Sequence, residues 1–497
     1  MALTRTDFFK LMASQGLALT FDDVRLDTGR SGVSAQEVDI SSRFSRNVML
    51  QSPLVSAAMD TVTTAEMAIA MAKMGGIGVI HAGLSPEEQK RQVRKVKLEL
   101  NGRIDKPITV SRSDKIGDVV AMCEDKKYKF RSFPVVDKQG KLQGLLTRRD
   151  ISFAKEGAKV SDVMTKYDPS KVVTGTNSTS PEQAFELMKK VRKKILPLTD
   201  GADQVVGLYV LKDVQRLLNG NPKHYNIDNK GHLRVAAAVP TDDGALERIE
   251  LMEGYIDVAV IDTAQGDSDY AINTLKKIKQ QFPKLDVVIG NISNSESARE
   301  LAKAGADGIK VGQGPGSICT TRIETGIGAP QVTAVYECAK AVEEFDIPVC
   351  ADGGITNPGD ISIAIAAGAS CVMMGSGLAG TKETPGEVIM TDGNEMVKIY
   401  RGMGSPSAMR ESAASRKRYG ADKSTGKPLS EGVEARVVYK GPVVDVLDHY
   451  IKALRKSMSY VGSPDIDYHR QNTRFVRITN AGYRESQPHD VHVISSR

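Results

Sequence analysis

The chain has no tryptophan, only 5% aromatic residues and five cysteines in 497 positions. With so few rings it lacks the stacking platforms that hold single-stranded nucleic acid, so nucleic acid is not expected as a main partner. Cys123, Cys319, Cys338, Cys350 and Cys371 are odd in number, widely spaced and without a CxxC pair. That spacing excludes a disulfide framework and a zinc site and fits a reducing, cytoplasmic setting. Long apolar runs are missing too, although 40% of the residues are hydrophobic. The opening stretch MALTRTDFFKLMASQGLALT is broken by charges, so neither a signal peptide nor a membrane span is expected. A net charge of +6 is small for this length. The basic run Lys90–Lys97, interspersed with Gln and Val, reads as a solvated helix face.

What is present centres on Gly312–Arg322, GQGPGSICTTR. Its glycines and proline exclude helix interior and predict a tight loop with exposed amides. Such amides suit an anion, with Ser317 adding a hydroxyl. Cys319 stands at the loop's end beside Thr320, Thr321 and Arg322, dipoles and a guanidinium that can lower a thiol pKa and make a nucleophile. A buried structural cysteine beside a turn fits the same residues, and spacing alone does not separate the two.

In chain order, SPLVSAAMD (Ser52–Asp60) and GGIGVIHAG (Gly75–Gly83) read as strands flanking a Thr-capped helix, one βαβ unit. A charged helix over Pro86–Leu100 follows. From about residue 105 to 220 the pattern shortens and repeats. FPVVDKQGKLQGLLTRRDI from Phe133 aligns at constant offset with LPLTDGADQVVGLYVLKDV from Leu196, pairing Pro134 with Pro197, Gly144 with Gly207 and Asp150 with Asp213. Two half-modules, about 105–160 and 161–220, are expected to pack face to face as one inserted unit. Thr147 and Asp150 suit a ribose hydroxyl and a nucleotide; the second copy keeps Asp213 but has Val210 in place of Thr147. A purely structural repeat is the alternative.

After the insert, strand-like runs recur at 234–239, 257–264, 286–292, 308–312, 347–355 and 371–376, nearly all separated by helices. With the two early strands this makes eight, predicting a (β/α)8 barrel interrupted after its second strand, with a doubly wound open sheet as the alternative. The barrel is favoured because polar residues and glycines mark the C-terminal strand ends, which in a barrel gather on one face. Those ends offer Asp262, Asn291, the GQGPGSICTT loop, Asp352-Gly353-Gly354 and Gly375-Ser376. Glycines after strands seven and eight suit a barrel phosphate site, and Asp352 beside them suits a ribose diol. Together they point to a nucleoside monophosphate held near Cys319. Beyond the barrel, the polar, aperiodic segment Arg416–Lys440 predicts a mobile lid, within a flap of about 405–440. The polar C-terminal TNAGYRESQPHDV reads as a tail, though Glu485 and nearby carbonyls suit a cation.

These motifs, with LTFDDVRL, SAAMDTVT, ADGGI, GSGLAGT-ETPGE, YRGMGS and AGYRES-PHDV, resemble those of inosine-5′-monophosphate (IMP) dehydrogenases over nearly the whole chain. GPGSICTTR in an interrupted barrel is specific to that family and to its relative, guanosine-5′-monophosphate (GMP) reductase. The insert resembles a tandem CBS (Bateman) domain, which in the family binds adenine or guanine nucleotides. The resemblance implies a catalytic barrel in two parts, 1–104 and 221–497, around a regulatory insert at 105–220. It implies that Cys319 attacks C2 of IMP, that hydride passes to NAD⁺, and that the adduct is hydrolysed to xanthosine monophosphate (XMP) once the flap closes. Arg418 and Tyr419 match the water-activating pair, and Thr321 with Glu431 an alternative proton relay. Ser317, Gly354, Gly375, Ser376 and Tyr400 match the phosphate site, Asp352 the ribose contact, and Met403 and Gly404 the base contacts, with Gly402 and Glu431 also among the substrate-binding residues. Asp262, Asn291, Gly312 and Gly314 would face NAD⁺. Potassium would sit on Gly314, Gly316 and Cys319 with Glu485, Ser486 and Gln487 of a neighbouring subunit, implying a homotetramer and room for an octamer.

Departures from the family pattern are Gln265, Gln313, Pro406-Ser407, Pro240 and Gly420, near the cofactor and flap. The rival within the resemblance is a GMP reductase, which turns GMP and NADPH into IMP and ammonia and has no need to activate water. A rival from another class is a catalytically idle, nucleotide-sensing assembly protein.

Overall fold

A computed structural model describes residues 3–100, 103–105, 107–125, 128, 130–155, 157–168, 172–219, 224–419 and 429–492. Two compact units emerge: Met1–Val96, His224–Asn226 and Arg234–Arg497 form one, and Lys97–Lys223 with Ile227–Leu233 the other.

The first unit is a closed barrel of eight parallel strands: β1 (Leu54–Ser56), β2 (Ile77–Ile80), β3 (Ala236–Val239), β4 (Val258–Asp262), β5 (Asp286–Ile292), β6 (Gly308–Val311), β7 (Val349–Asp352) and β8 (Cys371–Met374). Each strand pairs with the next, and Val372 opposite Leu54 closes the ring. The runs are Val/Ile/Ala-rich without alternation because both faces are covered, inward by other strands and outward by helices; every residue of β1, β2, β3, β5, β6 and β8 is buried. The eight runs predicted as strands are these eight, and the closed ring settles the choice against an open sheet.

One local expectation fails. Thr64 occupies the N-cap of the helix Ala65–Lys73, but its hydroxyl makes no cap bond. It turns to the Glu66 carboxylate at 3.2 Å instead, while the Ala65 amide is taken by Gln92 Oε1 at 2.9 Å. The charged helix runs Pro86–Lys97, ending three residues before the predicted Leu100.

The second unit holds two four-stranded sheets of the same build. In one, the hairpin Phe133–Val136 and Leu142–Leu146 is flanked by Val110–Ser111, parallel, and Thr165–Lys166, antiparallel. In the other, the hairpin Ile195–Thr199 and Val205–Val210 is flanked by Gly175–Thr176, parallel, and Arg103–Ile104, antiparallel. Each antiparallel edge is a strand that precedes the opposite copy in sequence, so the copies exchange strands. Leu142 and Leu145 of the first copy and Ile195 and Leu208 of the second share one apolar cluster.

Candidate active site

The cysteine loop leaves β6 at Gly312, whose φ of +150° and closeness to the β7 end leave no room for a side chain: an added Cβ would stand 2.1 Å from the Asp352 carbonyl. The loop turns back through the Cys319 amide, which donates to Gly316 O at 3.0 Å, and is stitched to the C-terminal part of the flap: Thr320 N to Glu431 O at 3.1 Å and Val433 N to Ile318 O at 3.0 Å.

These bonds bring Glu431, 110 positions away in sequence, into line with Thr321 and Cys319. Thr321 Oγ1 donates to Glu431 Oε2 at 2.7 Å and lies 3.2 Å from Cys319 Sγ. A hydroxyl carries one proton. With that proton given to Glu431, the thiol is the donor in the remaining contact, so the chain runs from Cys319 through Thr321 to a carboxylate. Arg322 directs its guanidinium at the carbonyls of Gln313 and Ala329, bracing the loop, while remaining close enough to Cys319 to interact with it electrostatically, as expected. Its pKa is lowered by burial.

Behind the thiol lies a web of buried charge. Lys310, in the middle of β6, is 1% exposed, and its ammonium meets Asp262 Oδ1 at 2.8 Å, Asp352 Oδ2 at 2.6 Å and the Asn291 side-chain oxygen. Asn291 Nδ2 donates to Gly312 O at 2.6 Å and to Asp352 Oδ2 at 3.0 Å. Asp262 has a second cation, the Arg418 guanidinium. Lys310 was not singled out from sequence, though the signal was there: a charge inside the apolar run Gly308–Val311, on a strand buried on both faces.

The flap contributes the helices Pro406–Glu411 and Ala413–Arg418 and the strand Glu434–Val438. The departure Pro406-Ser407 fits its place: Pro406 opens a helix capped by Ser405, and Ser407 Oγ accepts from Arg401 at 3.0 Å. Arg401 also reaches Asp60 Oδ2 at 2.6 Å and Glu411 at 2.7 Å, tying the β1 end to the flap. Tyr419 lies on Gly404, where an added Cβ would be 2.8 Å from the ring. Burial pushes its phenol pKa up. Gly420 lies outside the described residues.

One cavity gathers most of the expected set. Its walls include Asn291, Gly312, Gly314, Gly316, Cys319, Thr321, Asp352, Tyr400, Gly402, Met403, Arg418, Tyr419 and Glu431, with Thr263, Ala264 and Gln313 beside them. A second cleft adjoins it through Thr263, Met403 and Arg418 and holds Asp262 with Pro240 and Lys417. Ser317, Gly354, Gly375, Ser376 and Gly404 lie outside both sets of walls. Ser317 is exposed, Gly354 packs near Pro315 and Phe21, Gly375 abuts the Tyr400 hydroxyl, and the Ser376 carbonyl accepts from Lys440 Nζ at 2.8 Å. Glu485 closes the short helix Asn480–Glu485, with Ser486 and Gln487 after it, all three exposed. In the second unit Thr147 and Asp150 satisfy one another: Thr147 caps the helix Arg148–Phe153, and its hydroxyl and amide donate to Asp150 Oδ2 at 2.7 and 2.8 Å. Asp213 sits in the first turn of Leu211–Asn219. Among the described residues no helix is long and apolar enough to cross a membrane.

Known proteins carry the same pattern. The family model for the IMP dehydrogenase / GMP reductase domain matches residues 18–489. The inosine-5′-monophosphate dehydrogenase of Aquifex aeolicus is 45% identical over 481 residues, 96% of each chain. That of Bacillus subtilis is 41% identical over 479 residues, again 96% of each. Among solved structures, a GMP reductase variant from Trypanosoma brucei in complex with guanosine 5′-monophosphate superposes with a TM-score of 0.79 at 38% identity, covering 97% of this chain and 100% of that one. The cysteine loop, the closed barrel and these full-length likenesses agree: the chain belongs to the IMP dehydrogenase / GMP reductase family.

Proposed function

We propose that the protein oxidises IMP to XMP with NAD⁺ through a covalent bond to Cys319. The carrying observation is the directed line Cys319–Thr321–Glu431 opening into the cavity that Arg418 and Tyr419 also wall. The thiol proton leaves through Thr321 to Glu431, and sulfur adds to the purine C2. Asp262, Asn291, Gly312 and Gly314 would hold NAD⁺, which when bound would supply a two-electron acceptor for the C2 hydrogen leaving as hydride. Cys319 then holds a thioimidate, to which water adds at C2; the C–S bond breaks, giving XMP and the thiol. Asp262 is a fitting cofactor-side group because Arg418 now occupies it: flap and cofactor compete for one carboxylate, so the flap docks only after the cofactor has left. Docking excludes bulk water and brings Arg418 and Tyr419 to the adduct.

Phosphate falls to Ser317, Gly354, Gly375, Ser376 and Tyr400, ribose to Asp352, and the base to Gly402, Met403, Gly404 and Glu431. For K⁺, the carbonyls of Gly314, Gly316 and Cys319 are the local donors; that of Gly316 already accepts one amide and keeps a lone pair. Glu485, Ser486 and Gln487, exposed here, would complete the site from a neighbouring subunit of a homotetramer, with an octamer as a further assembly. The insert, 105–220, is a tandem CBS module whose purine nucleotides meet Thr147, Asp150 and Asp213, and the enzyme is cytoplasmic. All five cysteines are free, which accords with that compartment.

A GMP reductase reading draws on the Trypanosoma brucei likeness and on the same Cys-Thr-Glu line. The half-buried Arg418–Tyr419 pair on the cavity wall favours the dehydrogenase, because only hydrolysis needs a water activated there. Absorbance at 340 nm decides. NADH growth from IMP, NAD⁺ and K⁺, lost in Cys319→Ala, is expected; NADPH consumption with GMP and no signal with IMP would transfer the protein to the reductases. For the insert, calorimetry with ATP and GTP should find binding weakened by Asp150→Ala, and an unchanged affinity returns the repeat to a structural role.

A further inference from the structure

Two departures noted in the sequence, Gln265 and Gln313, lie far apart in the chain and touch in the structure. Gln313 Nε2 donates to Gln265 Oε1 and to Ala264 O, each at 3.0 Å. Gln313 Oε1 accepts from Ser293 Oγ at 2.6 Å, and its backbone carbonyl accepts from Arg322 Nε at 3.0 Å. One side chain therefore joins the ends of three barrel strands: the segment after β4, Ser293 after β5, and the cysteine loop after β6. Ala264 is also where the flap docks, for its amide donates to the Arg418 carbonyl at 3.3 Å.

We propose that Gln313 is a positioning residue that couples the cysteine loop to flap docking. It holds the Ala264 carbonyl from the loop side while the Ala264 amide receives Arg418, so loop and flap share one residue. An aliphatic side chain at 313 fills the space but leaves Ala264 O and Gln265 without this donor. The flap then docks on a looser segment, and the steps that need the docked flap slow, whereas hydride transfer, which precedes docking, does not. The kinetic part rests on the dehydrogenase reading; the docking part stands on geometry alone.

The test uses the full-length protein with Gln313→Ile, Gln265→Ala and the double variant. Gln265 is exposed, so its truncation tests the link even where Gln313→Ile folds poorly. Hydrogen–deuterium exchange of residues 406–419 without ligand should rise about fivefold in Gln313→Ile, which removes the donor to Ala264 O, by less in Gln265→Ala, which frees only one of the two acceptors of Gln313 Nε2, and in the double no further than in Gln313→Ile. With IMP and NAD⁺, the initial NADH burst should keep its rate while steady-state turnover falls by a similar factor. Unchanged flap exchange in both single variants overturns the coupling. So does a parallel fall of burst and turnover, which would put Gln313 on the hydride step. A wild-type protein that makes no NADH removes the dehydrogenase reading and leaves the exchange result to judge the coupling.

Discussion

Among the described residues, two buried polar centres of the barrel unit contrast in their charge. At the mouth, Asp262, Asp352, Asn291 and Arg418 line cavities, with the Lys310 ammonium buried behind them and bonded to both aspartates. The second centre lies among the helices Pro358–Ala367, Val443–Val461 and Ile466–Asn472, where His469, 0% exposed, is ringed by hydroxyls. Its Nε2 is 2.9 Å from Ser362 Oγ, and Nδ1 is 3.0 Å from Ser463 Oγ and 3.1 Å from Thr473 Oγ1; Ser457 donates to Ser362 at 2.7 Å. That ring is neutral and closed, so it can only hold helices together. The mouth keeps charges whose partners a ligand or a moving flap can replace. Burial is common to both centres; exchangeable charge belongs to the mouth alone, and it marks the functional one.

The sharpest way to break this contrast is Lys310→Met. The substitution keeps much of the volume but leaves Asp352 and Asp262 facing each other without the central ammonium. Breaking a buried pair in this way costs about 3–5 kcal/mol. Misplacing Asp352 should also lower kcat/KM on the order of a hundredfold. Denaturant titration and steady-state kinetics measure both, and Lys310→Arg should recover part of each. A Met variant with native stability and turnover would make the mouth as inert as the histidine ring.

The eight strands were legible because parallel barrel strands, buried on both faces, leave apolar runs punctuated by glycine. Cys319 and its neighbours were legible as a loop, but no spacing could decide between nucleophile and structural thiol. The contact that favours the nucleophile, Thr321 with Glu431, spans 110 positions and leaves no local signature. Lys310 escaped notice because the strand pattern that revealed β6 also invites one to overlook its single charge. The Gln265–Gln313 contact was invisible as a pair: each residue stood out as a departure, and only the parallel order β4–β5–β6, which sets the C-terminal ends of β4 and β6 one strand apart on the same rim, brings them within reach. Thr64 misled because the cap signature is local, whereas Gln92 competes for the amide from outside the helix.

The histidine ring makes the complementary prediction, at smaller cost. His469→Ala should destabilise the protein by about 3 kcal/mol, through a cavity and hydroxyls left without an acceptor. The NADH burst and the KM values for IMP and NAD⁺ should not move, because no atom of the ring meets the cavity walls. A loss of turnover matching that of Lys310→Met would show that the two centres are coupled.

The smallest effect concerns pH and reads both regions at once. Burial holds His469 at about 4, below its ordinary 6.5. His81, at the end of β2, is held at about 4 by burial as well, against the pull of Asp60. A base whose folded pKa is depressed binds fewer protons than the unfolded chain between the two values. Its contribution is therefore intact above pH 6.5 and is lost as pH falls towards about 4. Each histidine should cost about 1.4 kcal/mol for each pH unit inside that window. Urea titrations at pH 7.5 and pH 5.5 should thus differ by roughly 2–3 kcal/mol from these two groups. His469→Gln, compared only with itself across the two pH values, should remove about half of that difference. A slope unchanged in His469→Gln would mean the ring tolerates a charge, and its separation from the mouth would fail.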